Sequence, residues 1–226
     1  MQITGAEIIP LYEAALRGGI QVATHAIGDR GNASVEEWYA AALETVPASD
    51  RPNGADVRWR IEHAQILRPS DYHWFRDLPI IASMQPSHAI GDLHFAPARL
   101  GDARLDGAYA WRSLSDMGVI VVGGSDAPVE RGDPLIEFYA AVARKDLSGF
   151  TGEGWHPEEA VTRAQALALG WRCVVPHFRG CSGELNRLPR AATQVSETTL
   201  SRYGYTQPID TGAMRLQRRD TPPLSP

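Results

Sequence analysis

The sequence predicts an α/β fold built on a parallel sheet. Two observations carry that prediction: four short apolar runs of strand character alternate with stretches of helical spacing, and Gly- or Pro-bearing loops separate them. A third gives the fold a possible purpose, because residues of metal-ligand type recur where each run ends.

The elements follow in order. Gly5–Arg17 reads as a helix, with Ile8, Ile9, Tyr12, Ala15 and Leu16 near helical spacing and Gly18-Gly19 as its stop. "IQVATH" is the first strand, a short apolar run of the kind buried in parallel sheets. Ser34–Leu43 is helical again, and Pro47–Gly54 is a loop. "VRWRIEHAQ" is the second strand, and Pro69-Ser70 opens a short helix after it. "PIIASMQPSH" is the third strand, followed by a loop rich in Gly, Asp and Arg and by a helix over "LDGAYAWRSLSDMG". "VIVVGGSDAPV" is the fourth strand, and "DPLIEFYAAVARK" and "HPEEAVTRAQALAL" are the last helices.

His25 ends the first run, His63 the second, Gln85 and His88 the third, and Asp126 the fourth. Parallel α/β folds build their sites at the carboxyl ends of strands. Imidazole and carboxylate together suit a divalent transition ion, zinc above all, which binds both at about 2.0–2.2 Å. Each residue also has a plainer reading. His25 and His63 are the half-buried histidines that end many strands, Asp126 opens a turn before Pro128, and His88 caps a loop. Their recurrence in consecutive units favours one shared site. Trp59, Trp74 and Trp111 read as packing residues rather than ligand contacts.

The segments "HAIGD", "RIEHAQ", "ASMQPSH" and "GGSDAPVE", in this order and separation, resemble the YtcJ-like (amidohydrolase-3) branch of the amidohydrolase superfamily, over its C-terminal half and about Ile3 to Leu169 here. The resemblance implies a partial TIM (β/α)8 barrel, approximately strands 5–8 with their helices, plus an irregular C-terminal tail. It implies a metal-dependent hydrolase acting on C–N bonds of small amide-type substrates. His25 and His63 would be the metal ligands after barrel strands 5 and 6. Asp126 would be the strand-8 aspartate that binds metal and acts as general base, with Gln85 and His88 near the substrate.

The superfamily pattern also has an H-x-H pair after strand 1 and a bridging Lys or Glu after strand 4. This chain has no H-x-H, and its only lysine, Lys145, follows the fourth strand. A half barrel exposes two sheet edges, which predicts self-association or pairing with a missing N-terminal half. The alternatives to an enzyme are therefore a non-catalytic half-barrel for binding or assembly and an inactive gene fragment.

Residues 1–169 form the barrel-like domain on this reading, and 170–226 an atypical tail. That tail carries eight Arg against four acidic residues, whereas the whole chain has 22 basic and 27 acidic residues and a net charge of −5. It reads either as a disordered segment or as the product of a shifted reading frame: moving "HFRGCSGELN" by one base permits "TFEDVAGSLT", similar to the F-x-E-D-x-x-G-S-L stretch that family members carry. The acidic balance predicts no nucleic-acid partner, and no apolar run approaches the roughly 20 residues that span a bilayer. The N-terminus lacks the basic and apolar regions of a signal peptide, which with only Cys173 and Cys181 predicts the cytoplasm and no disulfide framework.

Overall fold

The computed structural model describes residues 3–174, with side chains to Leu169. Helix α1 (Gly5–Gly18) opens on a capping box in which Thr4 and Glu7 satisfy one another's exposed backbone groups. It stops at Gly19, whose φ of 65° is left-handed and lets Ile20 N–H reach back to Ala15 O at 2.8 Å. Strand β1 (Ala23–Ala26) follows, then α2 (Asp29–Thr45), β2 (Trp59–His63), α3 (Tyr72–Asp77) and β3 (Ile80–Met84). After them come α4 (Pro86–Asp92), α5 (Ala96–Leu100), α6 (Trp111–Asp116), β4 (Val121–Gly123), α7 (Pro134–Ala143) and α8 (Arg163–Val174).

The four strands lie in sequence order and all pair in parallel. Side chains alternate between faces along a strand, so the register sorts them. Thr24, Ile61, Ala82 and Val121 share one face, and the last three enter the main core with α1, α2, α3, α6 and α8. Trp59, Trp111, Tyr39 and Ile61 are fully buried there, which confirms packing roles for Trp59 and Trp111. Behind β1 and β2, Tyr12 packs edge-on against Tyr39 and both rings lie tilted against Trp59, and the two tyrosine hydroxyls meet Thr24 Oγ1 at 2.8 and 2.7 Å. The opposite face carries His25, Glu62, Ser83 and Val122 in register.

Several elements differ from the sequence reading. The third strand stops at Met84 rather than reaching His88, because Pro86 at the first helical position turns the chain into α4; the presumed Gly, Asp and Arg loop is largely helical. His88 therefore stands in a helix, not at a strand end. Only Trp111–Asp116 of the "LDGAYAWRSLSDMG" helix forms, since Gly107 and Tyr109 pair instead with Leu67 and Gln65. The last helix begins at Arg163, because Glu159 is drawn away to accept hydrogen bonds from Arg112 and Ser113 N–H at 2.9 and 3.0 Å, capping α6. No helix among the described residues is long and apolar enough to cross a membrane. The tail beyond residue 174, with Cys181 and the frame-shift reading, lies outside the described residues.

Candidate functional site at the carboxyl ends of the strands

Three imidazoles gather beyond β1, β2 and β3. The His25 and His63 rings meet edge-on with centroids 4.5 Å apart, and His63 stacks on His88 at 5.6 Å with planes 17° from parallel. Parallel pairing sets this up: Ala26 lies opposite His63, so the two strand ends finish level. His63 is buried, His88 half-buried and His25 exposed. His63 Nδ1–H donates to Gln85 Oε1 at 2.9 Å, which leaves Nε2 as the free lone pair of the ring. Gln85 is the extended N-cap of α4, and His88 lies one turn on with its Nε2 buried and without a hydrogen-bond partner.

The backbone at this point is unusual. His63 and Ala64 have φ of 75° and 43°, the left-handed region that L-residues avoid. Two such residues in succession mark a backbone held by its surroundings rather than by preference. Below them Gln65 Nε2 donates to Asp92 Oδ2 at 2.6 Å and to the Tyr109 hydroxyl, and Tyr109 donates to the same carboxylate oxygen. Burial pushes the Tyr109 phenol far above its ordinary value, so it remains a donor. Sequence reasoning missed Asp92 and Tyr109: they sit 27 and 44 residues from Gln65, in segments that read as loop and helix.

Asp126 stands elsewhere in character. It is exposed, in a left-handed turn with φ of 54° where its carbonyl accepts Val129 N–H at 2.8 Å. Its carboxylate makes no hydrogen bond among the described residues, which is the turn-opening role allowed by its place before Pro128. The structure thus brings together His25, His63, Gln85 and His88. It does not bring Asp126 into a metal-binding group with them, and no cluster of three or more His, Cys, Asp or Glu side chains suited to a metal occurs among the described residues. The residues fit a divalent ion in kind, through two adjacent imidazoles of which one is oriented by an amide, but they do not complete its ligand set.

A cavity of about 490 Å³ adjoins the end of β4, between α7, α8 and the start of α4. Its lining is apolar apart from Ser125 and Glu137, and burial raises the Glu137 carboxyl above its ordinary value while Ser87 N–H donates to it at 2.9 Å.

Comparison with known proteins gives the chain a family. Residues 4–170 match the model of the Amidohydro_3 group, described as the amidohydrolase family. The chain is 36% identical over 155 residues to Protein LONG AFTER FAR-RED 3 of Arabidopsis thaliana, covering 68% of this chain and 25% of that protein. It is 31% identical over 159 residues to the putative amidohydrolase YtcJ of Bacillus subtilis (70% and 28%). It is 30% identical over 165 residues to the N-substituted formamide deformylase of Arthrobacter pascens (73% and 29%). The crystal structure of an uncharacterized metal-dependent hydrolase from Pyrococcus furiosus superposes with a TM-score of 0.60 at 28% identity, over 75% of this chain and 31% of that one. The chain thus spans less than a third of each of these proteins. Sequence and fold agree over the same stretch, and the chain belongs to the amidohydrolase family.

Proposed function

We propose that the chain supplies part of the catalytic barrel of a metal-dependent hydrolase that cleaves C–N bonds of small non-peptide amides. Residues 1–169 would be that part, barrel strands 5–8 with their helices, and 170–226 a separate tail. The supporting observation is the packed pair His25–His63 at level strand ends, with Gln85 fixing the free nitrogen of His63. These imidazoles would hold a divalent ion, zinc by donor type, which when bound polarises the substrate carbonyl and acidifies the attacking water.

The chain's own groups do the rest. Asp126, exposed beyond β4, takes a proton from the attacking water as the C–O bond forms, and passes it to nitrogen as the C–N bond breaks. Gln85 orients His63, and His88 borders the substrate. The formamide deformylase relative points to N-substituted formamides among the substrates to try. The two terminal strands, β1 and β4, have partners on one side only among the described residues, which supports assembly with a second copy or a complementary half-barrel.

The test is amine release from N-substituted formamides, N-acyl amines and cyclic amides with Zn²⁺, Co²⁺ or Mn²⁺ added. Metal-dependent turnover is expected, reduced roughly 10²–10⁴-fold by Asp126→Asn and abolished by His25→Ala. No turnover with any of the three ions overturns the reading for this polypeptide, leaving a binding or assembly half-barrel or an inactive gene product.

A further inference from the structure

The strained turn after β2 is held by a network that reaches the site only at second hand. Gln65 and Asp92 lie on opposite sides of His88 in sequence. Gln65 follows His63 by two residues, and Asp92 is the last residue of α4, one turn beyond His88. Asp92 Oδ2 accepts from Gln65 Nε2 at 2.6 Å and from the Tyr109 hydroxyl. Tyr109 is itself immobilised from three directions. Its N–H donates to Gln65 O at 2.7 Å, its carbonyl accepts from Arg144 Nη1 at 3.1 Å, and its ring packs edge-on against Trp155 at 5.4 Å. Arg144 is 1% exposed and lies over the Trp111 ring at 4.3 Å, so the post on which Tyr109 rests is a core feature.

We infer that Asp92, held by Tyr109 and Gln65, is a positioning residue for His63 and His88. It pins the far end of α4 to the turn after β2, just as the Gln85–His63 hydrogen bond pins the near end. With both ends fixed, the stacking of His63 on His88 and the tautomer of His63 follow from the frame. Without the Asp92 acceptor, Gln65 and Tyr109 lose a shared partner, and the left-handed residues His63 and Ala64 are free to relax toward ordinary φ.

The role of these imidazoles in a reaction rests on the proposed hydrolase function, but the positioning can be read without metal or substrate. Long-range ¹H–¹⁵N spectra of the metal-free chain at one fixed pH report the His63 tautomer, and ring-to-ring NOEs report its contact with His88. In the unsubstituted chain a dominant Nδ1–H form and a clear His63–His88 NOE are expected. Asp92→Ala should mix the tautomers and lose the NOE, and Asp92→Asn, which keeps an acceptor oxygen, should restore both. Tyr109→Phe preserves volume and provides a second variant if Asp92→Ala does not fold; it should weaken the NOE and leave Tyr12 and Tyr39 resonances unmoved. If Asp92→Ala and Tyr109→Phe lower only the unfolding temperature while His63 keeps its tautomer and its NOE, the residues are structural and the inference fails. An inactive chain showing the expected spectra would instead sink the hydrolase reading alone.

Discussion

Two regions of this molecule bury polar side chains, and they do so in opposite ways. Beyond β2 and β3, Gln65, Asp92 and Tyr109 are joined side chain to side chain, and so, separately, are Gln85 and His63. Behind β1, α2 buries Asn32 and Glu36 one turn apart, at 1% and 0% exposure. Asn32 uses its amide N–H groups on Ile27, Gly28 and Ile66 carbonyls at 3.0–3.2 Å, yet its Oδ1 and both Glu36 carboxyl oxygens have no donor. A buried polar group without a partner costs about 1–3 kcal/mol, and more if charged, so the first region fixes geometry while the second depends on keeping Glu36 uncharged. The difference teaches where this chain can be improved without touching its candidate site.

The largest effect should come from Glu36. Burial, with Asp71 adding repulsion, pushes its pKa up from 4.5 to about 8. Because the folded state holds this proton more tightly than the unfolded state, the contribution to stability is full below about pH 4.5. It falls as the pH rises toward about 8, and is level above that. A shift of this size corresponds to on the order of 5 kcal/mol between the two limits. Glu36→Leu should remove that slope, raising stability at pH 8.5 by a few kcal/mol and at pH 5 by much less. Urea unfolding at the two pH values measures it. A slope that persists unchanged in the variant would mean that another group carries it and that the two regions differ less than their hydrogen bonds suggest.

The paired region should respond in the opposite sense. Gly107 has no room for a side chain: a Cβ there would stand 2.0 Å from Leu67 O, a backbone atom. Gly107 O also accepts Leu67 N–H at 3.0 Å, beside the Tyr109–Gln65 pairing. Gly107→Ala must push the two segments apart, with an expected loss of about 1–3 kcal/mol or more. Loss of stability with the His63–His88 NOE intact would show that the frame tolerates displacement here. Loss of both would show that the clash travels through Gln65 to the imidazoles.

What could be read from the sequence follows the same division. The parallel sheet and the gathering of His25, His63, Gln85 and His88 near one another were legible, because strand periodicity and strand-end position are local patterns. His88 was found by its motif but given the wrong element, since Pro86 converts an apparent strand end into a helix start. Asp126 was legible as a strand-end residue; it lies in an exposed left-handed turn, and no metal-suited group of three or more His, Cys, Asp or Glu side chains forms among the described residues. The Asp92–Tyr109–Gln65 network was not legible: partners so far apart in sequence carry no spacing signal. Nor was Glu36, which in "SVEEW" is indistinguishable from its exposed neighbour Glu37 until the helix phase is fixed.

The smallest effect sharpens the comparison from outside both regions. Asp29, the aspartate of the "HAIGD" segment, opens α2 and accepts Arg104 Nε and Nη2 at 2.9 and 2.8 Å. That hydrogen bond leads the causes holding its carboxyl below the usual range, and its place in the first turn also meets the positive end of the helix. The pair is nonetheless largely in water, with Arg104 49% exposed, so solvent and salt screen it. Arg104→Ala should cost less than about 1 kcal/mol, and the cost should shrink in 1 M NaCl. A cost of several kcal/mol that ignores salt would place Asp29 with the paired interior groups, as part of what holds the β1 turn and with it His25. A small, salt-sensitive cost leaves the interior network alone in charge of the imidazoles.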